Sequence, residues 1–235
     1  MTFDQAEFQI RCEWGLRGME ELASTADAVI LVDVLSFTTA LDIATSRGAI
    51  VFPYPLRDAS AGAYAASLGA QVASVREHGF SLSPASLRNI PAGYRLVLPS
   101  PNGAALAFAT RHQFVLAGCL RNATAVARRA ASHGSTFAVI PAGETWPAGD
   151  LRPSLEDLIG AGAVIASLSG SRSPEAELAA ACFERFRGDL AGALRKSGSG
   201  KELIERGFAR DVELAAEFDV STNVPVLVGR SFVAG

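Results

Sequence analysis

The chain has 235 residues, of which 49% are hydrophobic and 19% are charged. This composition is typical of a packed globular protein and excludes an intrinsically disordered chain. Lys and Arg total 21 against 24 Asp and Glu, so the net charge is -3. With no basic excess, the field of the whole protein cannot attract nucleic acid or an anionic membrane, and neither is expected as a partner.

The three cysteines, Cys12, Cys119 and Cys182, are too scattered for a disulfide framework or a CxxC zinc site. The first residues are acidic, whereas a signal peptide begins with a basic region followed by an apolar one. No apolar stretch approaches the ~20 residues that a membrane span requires. We therefore expect a cytoplasmic protein, and a homo-oligomer is an open alternative to a monomer.

Short apolar runs alternate with alanine-rich helical stretches along most of the chain. Strands are predicted over 28–35, 49–53, 95–98, 113–117, 136–140 and 224–228. Helices are predicted over 38–47, 58–68, 103–111, 122–132 and 154–168. The strands are apolar throughout instead of alternating, as expected when both faces of a sheet are covered.

This alternation predicts an α/β fold with a mostly parallel sheet, helices on both faces and a helical C-terminal segment. We expect a single domain over residues 1–235. Residues 173–219 indicate two or three helices broken near 197–200, so a smaller helical subdomain over about 170–222 is an alternative. Residues 76–94 are rich in Ser, Pro and Gly and predict a long loop, which in compact domains is often functional.

Asp33 ends an otherwise apolar strand in the segment VDVLSFTT (32–39). A buried carboxylate must be paired, hydrogen-bonded or metal-bound, because an unpaired one is costly. The hydroxyls of Ser36, Thr38 and Thr39 follow where the next helix begins, and a helix N-terminus attracts anions. The segment therefore predicts a ligand site, although plain helix capping explains Thr38 and Thr39 at least as well.

Polar residues also follow the predicted strand 95–98, in PSPNG (99–103). Ser100, Asn102 and Gly103 offer a hydroxyl, an amide and a backbone donor just before another helix. Ligands of open α/β sheets bind at the carboxyl ends of the strands, which favours a site here. Asn-Gly is equally an ordinary turn signal, so both interpretations remain open.

A third strand end carries PAGE (141–144) and then RPSLED (152–157). Ser154 and Asp157 match a capping box, with Pro153 before it. The capping box does not explain Glu156, which lies beside Asp157 in the first turn of the helix. Neighbouring carboxylates near a strand end could bind Mg²⁺, which prefers one or two carboxylates together with water and phosphate oxygens.

Taken together, these motifs resemble the 2-phosphosulfolactate phosphatase family over about residues 27–228. The motifs that carry the resemblance are VDVLSFTT (32–39), Asn102-Gly103, Ala142-Gly143, SLED (154–157), GFARD (207–211) and Val224-Pro225. The resemblance implies an α/β, Mg²⁺-dependent phosphatase that hydrolyses 2-phosphosulfolactate, a step towards coenzyme M. The chain differs from the family at Ser36, where the family usually has Arg. The positive charge of that Arg would have to come from another residue, for example Arg76 or Arg121.

Matched residue by residue, the resemblance implies acidic site residues and a substrate pocket. The expected catalytic residues are Asp33, Glu156 and Asp157. The expected metal ligands are Asp33, Glu156 and Asp211. The expected substrate-binding residues are Ser36, Thr38, Thr39, Ser100, Asn102, Gly103 and Gly143.

The leading expectation is an Mg²⁺-dependent phosphatase for a small anionic phosphoester, either 2-phosphosulfolactate or a related 2-phosphohydroxy acid. Mg²⁺ and helix N-termini would neutralise the phosphoryl oxygens while a water oriented by a carboxylate attacks phosphorus. The alternative is a non-catalytic or repurposed protein that binds a small anion on the same scaffold, because a fold alone does not establish a function.

Overall fold

The structure is a computed structural model that describes residues 3–235. A nine-stranded sheet forms its centre. The strands of this sheet are β1 (Ile10–Cys12), β2 (Ala28–Val32), β3 (Ile50–Tyr54), β4 (Gln71–Val72), β5 (Arg95–Pro99), β6 (Val115–Gly118), β7 (Phe137–Pro141), β10 (Pro225–Val228) and β11 (Ser231–Ala234). A separate small hairpin consists of β8 (Glu144–Thr145) and β9 (Leu151–Arg152).

The strand order is β1-β7-β2-β6-β10-β11-β3-β5-β4. Strands β1, β7, β2 and β6 form one parallel block, and β3, β5 and β4 form a second. The C-terminal hairpin β10–β11 joins the blocks, pairing antiparallel with β6 on one side and with β3 on the other. The expected mostly parallel α/β sheet is confirmed, but its last predicted strand lies in the middle of the sheet.

Helices pack on both faces of the sheet, as predicted. They are α1 (Gly15–Leu22), α2 (Phe37–Ser46), α3 (Ser60–Leu68), α4 (Gly103–Ala109), α5 (Ala123–Ala131), α6 (Leu155–Ala166), α7 (Pro174–Phe186), α8 (Leu190–Lys196), α9 (Gly198–Glu205) and α10 (Ala209–Ala215). The C-terminal segment thus contains four helices where the sequence indicated two or three. Residues 76–94 are not all irregular, because a 3₁₀ helix occupies Pro84–Asn89.

Strand β2 shows why the central strands are apolar at every position. Val29 and Leu31 belong to the core that includes residues of α1, α2 and α4. Ile30 and Val32 belong to the opposite core, which includes residues of α5, α6 and the C-terminal helices. None of the four side chains has exposed surface. A strand that alternated apolar and polar residues would therefore bury polar groups without partners.

The sequence analysis did not identify β1, α1, the short edge strand β4 or β11. Strand β1 has only three residues and pairs with β7, and such short strands carry little local signal. No helix in residues 3–235 has the length and apolar character that crossing a bilayer would require.

Candidate active site

A cavity of about 130 Å³ lies where the chain leaves β2 and β5, and we call it the site cavity. Its walls come from distant parts of the chain, including the loop after β3, the 76–94 segment, β8 and helix α9. The lining residues are Asp33, Leu35, Ser36, Arg57, Arg76, Leu82, Ser100, Pro101, Asn102, Glu144, Ser199, Glu202, Leu203 and Arg206. Four predicted site residues therefore line one cavity: Asp33, Ser36, Ser100 and Asn102.

Asp33 follows β2 and is only 5% exposed. Its Oδ1 accepts the N–H of Phe37 at 3.1 Å, and its Oδ2 accepts the N–H of Gly103 at 2.8 Å. Burial raises the pKa of Asp33, the two backbone donors lower it, and the nearby charge of Glu156 raises it again. The carboxylate therefore joins the starts of α2 and α4 at the cavity.

Gly103 is required by this close approach. A Cβ at position 103 would lie 2.6 Å from the Asp33 Oδ2 and 2.7 Å from the Phe37 ring. No side chain can therefore replace the glycine while its N–H still reaches the carboxylate. The backbone N–H of Gly103, an expected substrate-binding residue, donates to Asp33.

Thr38 and Thr39 are fully buried, and both hydroxyls bond to the turn after β2. The Thr38 hydroxyl donates to the Asp33 carbonyl at 2.8 Å and accepts the Asp33 N–H at 3.0 Å. The Thr39 hydroxyl donates to the Val34 carbonyl at 2.8 Å. These bonds hold the turn that presents Asp33.

Asp157 holds three parts of the chain together. Its Oδ1 accepts the Val34 N–H at 2.7 Å, and its Oδ2 accepts the Gly143 N–H at 2.9 Å and the Ser154 hydroxyl at 2.8 Å. The predicted capping box is therefore wrong, because the Ser154 hydroxyl donates to a side chain and caps no backbone N–H. Gly143 takes a φ of 70°, a left-handed conformation that suits glycine.

Glu156 lies beside Asp157 in the first turn of α6 and is 2% exposed. Within residues 3–235 its Oε2 is buried and has no hydrogen-bond partner. Burial raises the pKa of Asp157 well above its ordinary value, and the charges of Asp33 and Glu156 raise it further. A buried carboxylate oxygen without a donor is costly in a folded protein unless a cation or an ordered water satisfies it.

Glu144 is a site residue that the sequence analysis did not select. It lines the cavity from β8, and its Oε2 accepts the Asn102 side-chain N–H at 2.7 Å. Burial and the charge of Asp33 raise the pKa of Glu144 to about 7. The sequence signal that could have identified Glu144 is its position in PAGE (141–144), directly after a predicted strand.

Three arginines, Arg57, Arg76 and Arg206, also line the cavity. Arg76 supplies the charge that position 36 lacks, because its Nη2 donates to the Ser36 hydroxyl at 2.9 Å. Arg121, the other candidate for this role, instead forms ion pairs with Asp42 and Glu217. Arginines elsewhere on the surface look the same in sequence, so no local signal marks these three.

Asp211 holds Arg76 in place. Its Oδ2 accepts the Arg76 Nη1 at 2.7 Å, and its Oδ1 accepts the Ser83 hydroxyl at 2.6 Å and the Ala85 N–H at 3.1 Å. The charge of this expected metal ligand is thus paired with a cation of the protein, whereas Asp33 accepts only backbone N–H groups. The structure places it against Arg76 and the 76–94 segment.

The remaining acids allow a test of whether Mg²⁺ fits. No group of three or more His, Cys, Asp and Glu side chains in residues 3–235 is arranged to hold a metal ion alone. Mg²⁺ needs fewer, because it commonly takes one or two carboxylates and completes its shell with water and phosphate oxygens. Asp33 and Glu156 fit that requirement, since the charge of Glu156 is near enough to raise the pKa of Asp33, and Glu156 has a buried oxygen with no hydrogen-bond partner in residues 3–235.

Buried acids opposite arginines suit an enzyme of small anionic substrates, and comparison with known proteins gives its class as phosphoric monoester hydrolase. Residues 17–230 match the family described as 2-phosphosulpholactate phosphatase. The chain belongs to this family.

Individual relatives agree with the family match over most of their length. A Carboxydothermus hydrogenoformans protein named "Probable 2-phosphosulfolactate phosphatase" is 32% identical over 220 residues, which cover 88% of this chain and 89% of that protein. A Gloeobacter violaceus protein with the same name is 30% identical, covering 86% and 88%. The Methanothermobacter thermautotrophicus "2-phosphosulfolactate phosphatase" is 30% identical, covering 84% and 85%.

Proposed function

We propose that this protein is an Mg²⁺-dependent phosphatase that hydrolyses 2-phosphosulfolactate or a related phosphoester of a 2-hydroxy acid. The observation that carries the proposal is the site cavity itself, in which Asp33 and Glu144 face Arg57, Arg76 and Arg206. Acids can hold a cation while arginines hold the anionic oxygens of the same ligand. The names of the relatives support the same substrate.

Asp33 and Glu156 are the residues that would hold Mg²⁺. When bound, the ion would withdraw charge from the phosphoryl oxygens. The Ser36 hydroxyl, which is 2% exposed, is fixed by Arg76 and can donate to a phosphoryl oxygen. Ser100 and Asn102 reach the cavity from the end of β5 and complete a polar lining for the phosphoryl group.

Glu144 is positioned to orient the attacking water. Its side chain is anchored by Asn102 and faces the cavity from the wall formed by β8. Water adds to phosphorus as the ester P–O bond breaks, and the carboxylate accepts the proton that the water loses. The leaving oxygen takes a proton from solvent water and departs as the hydroxyl group of the free acid, and Glu144 then returns its proton to solvent. Asp157 is a positioning residue, since its bonds hold the turn after β2 and the turn before β8.

The test is turnover of 2-phosphosulfolactate, 2-phospholactate and isopropyl phosphate, each with Mg²⁺ and with a chelator. We expect phosphate release that requires Mg²⁺ and favours the two anionic acids over isopropyl phosphate. Calorimetry with sulfolactate and inorganic phosphate runs in parallel. Saturable binding of these probes without any turnover would contradict the proposal and support the alternative of a small-anion-binding protein.

A further inference from the structure

A second cavity, of about 490 Å³, lies beside the site cavity, and we call it the adjoining cavity. Arg57, Arg76, Leu82 and Arg206 line both cavities, so the two spaces meet at this shared wall. A ligand bound in one can therefore extend past the arginines into the other. The proposed hydrolysis of a 2-phosphohydroxy acid assigns no role to the adjoining cavity.

The two cavities differ in volume, and the difference indicates which part of a substrate each could bind. Sites for small organic ligands usually measure about 300–1,000 Å³. The site cavity, at about 130 Å³, is below this range and suits a phosphoryl group. The adjoining cavity lies within the range and exceeds what the remainder of a three-carbon acid would fill.

Arg57 gives the adjoining cavity a charge that can bind an anion. Arg57 is exposed and makes no hydrogen bond or ion pair within residues 3–235. The carboxylates in the lining are Asp58 and Glu77, and Asp58 already accepts the N–H and the hydroxyl of Ser60. Of the three arginines, Arg76 is paired with Asp211 and Arg206 with Glu202. The unpaired guanidinium of Arg57 can form a bidentate bond with a carboxylate or sulfonate.

Apart from Ser74, the rest of the lining is apolar. Val72 and Val75 are 36% and 65% exposed, and Ala61 and Leu82 lie beside them in the cavity wall. Exposed valines next to an unpaired arginine suit a ligand with a carbon chain that ends in a charged group. A phosphate ion or a bare sulfonate would leave this apolar surface uncovered.

We infer that the adjoining cavity is a subsite for the leaving group of the substrate. The substrate class is then a phosphoester of a 2-hydroxy acid whose chain continues for three or more carbons to a second anionic group held by Arg57. This inference rests on the proposed phosphatase function and narrows it to longer acids. Val72 and Arg57 are specificity-determining residues in this assignment.

The experiment compares the phosphoesters of lactate and of 2-hydroxyadipate as substrates of the wild type and two variants. Val72→Trp fills the adjoining cavity from β4, where an aromatic residue suits a strand. Arg57→Met removes the unpaired charge. The matched controls are Val72→Thr, which keeps the volume, and Arg128→Met, an exposed arginine on α5 outside both cavities.

We expect the wild type to prefer the longer ester by about tenfold or more in kcat/KM, chiefly through KM, as a gained charge-assisted bond implies. Val72→Trp and Arg57→Met should lose this preference, while both control variants change little and Val72→Trp still hydrolyses phospholactate at nearly the wild-type rate. A wild type without preference would overturn the inference. An equal loss of both esters in Val72→Trp would also overturn it.

Hydrolysis tests the phosphatase activity, and binding of the free acid tests the subsite separately. If neither ester is hydrolysed, the proposed function is wrong, and calorimetry with free 2-hydroxyadipate decides the subsite by itself. Binding to the wild type and to Arg128→Met, but not to Arg57→Met or Val72→Trp, would support the subsite. Absence of binding to the wild type would overturn it.

Discussion

The guanidinium of Arg76 donates a hydrogen bond to the hydroxyl of Ser36 across 2.9 Å, although 40 positions separate the two residues. The same guanidinium is paired with the buried carboxylate of Asp211. Burial lowers the pKa of Arg76, and the charge of Asp211 raises it. A positive charge thus lies beside position 36, delivered from another part of the chain.

The first prediction is that Ser36→Arg is harmful by itself. The new guanidinium would lie against that of Arg76, and like charges in a partly buried place repel. We expect a lower melting temperature and a loss of about tenfold or more in kcat/KM, because the variant also removes the hydroxyl that Arg76 binds. Thermal melts and phosphoester kinetics measure both effects.

The double variant Ser36→Arg, Arg76→Ser is the control for this explanation. It moves the charge instead of adding one, so part of the lost activity should return. A coupling free energy of about 1 kcal/mol or more between the two sites is expected for groups in direct contact. Strictly additive losses would contradict a shared role of the two positions.

The second prediction separates Glu156 from its neighbour Asp157. Glu156→Gln removes a charge whose Oε2 makes no hydrogen bond within residues 3–235, so the melting temperature should hold or rise. Turnover should fall by about 30-fold or more, which corresponds to about 2 kcal/mol of lost transition-state stabilisation.

Asp157→Asn is the comparison, because it replaces one of two accepting oxygens with an amide that faces N–H donors. We expect destabilisation by about 3 kcal/mol, the scale for breaking a buried charged network. Melting and turnover are measured on both variants. Equal stability losses with no specific loss of turnover at Glu156 would show that Glu156 is structural.

The third prediction concerns pH and Glu144, whose pKa is raised from 4.5 to about 7 in the folded protein. The folded state then holds this proton more tightly than the unfolded chain does. Its stabilising contribution is complete below about pH 4.5 and is lost as the pH rises through about 7. Glu144→Gln mimics the protonated form, so its advantage over the wild type should be absent at pH 4 and about 1–3 kcal/mol at pH 8.

Denaturant unfolding of both proteins across this pH range measures the effect. Glu205→Gln, an exposed substitution outside the cavity, is the matched control and should show no such trend. An advantage of Glu144→Gln that grows towards low pH would have the opposite sign and would exclude this explanation.

The fourth prediction is that Gly103→Ala disrupts the site through a single methyl group. The added Cβ would lie 2.6 Å from the Asp33 Oδ2, so the carboxylate or the start of α4 must move. We expect a loss of about 1–3 kcal/mol in the free energy of unfolding, typical of overpacking, together with most of the activity.

Gly62→Ala is the control, since a Cβ there meets no atom within 4 Å and the residue lies in α3. It should stabilise the protein by about 0.5–1 kcal/mol, as alanine does in a helix. Unaltered stability and kinetics in Gly103→Ala would show that the contact with Asp33 is not needed.

The α/β class and most elements of the sheet could be predicted from local patterns in the chain. Strand β2 could be predicted because both of its faces are buried, so that every side chain must be apolar. Asp33 stood out because a carboxylate at the end of an apolar strand violates this pattern, and Glu156 stood out because helix capping did not explain it. The strand and the two carboxylates could be recognised because each depends on residues nearby in the chain, which a local sequence pattern shows.

The strand order and the charges around the cavity could not be predicted, because they depend on contacts between distant parts of the chain. The hairpin β10–β11 lies between β6 and β3 because of pairings with residues more than 100 positions away, which no periodicity encodes. Arg57, Arg76 and Arg206 resemble any exposed arginine until the loops and α9 are folded against the sheet. The pairing of Asp211, an expected metal ligand, with Arg76 was likewise not predictable, because a carboxylate pairs with whichever donor the fold places within 3 Å.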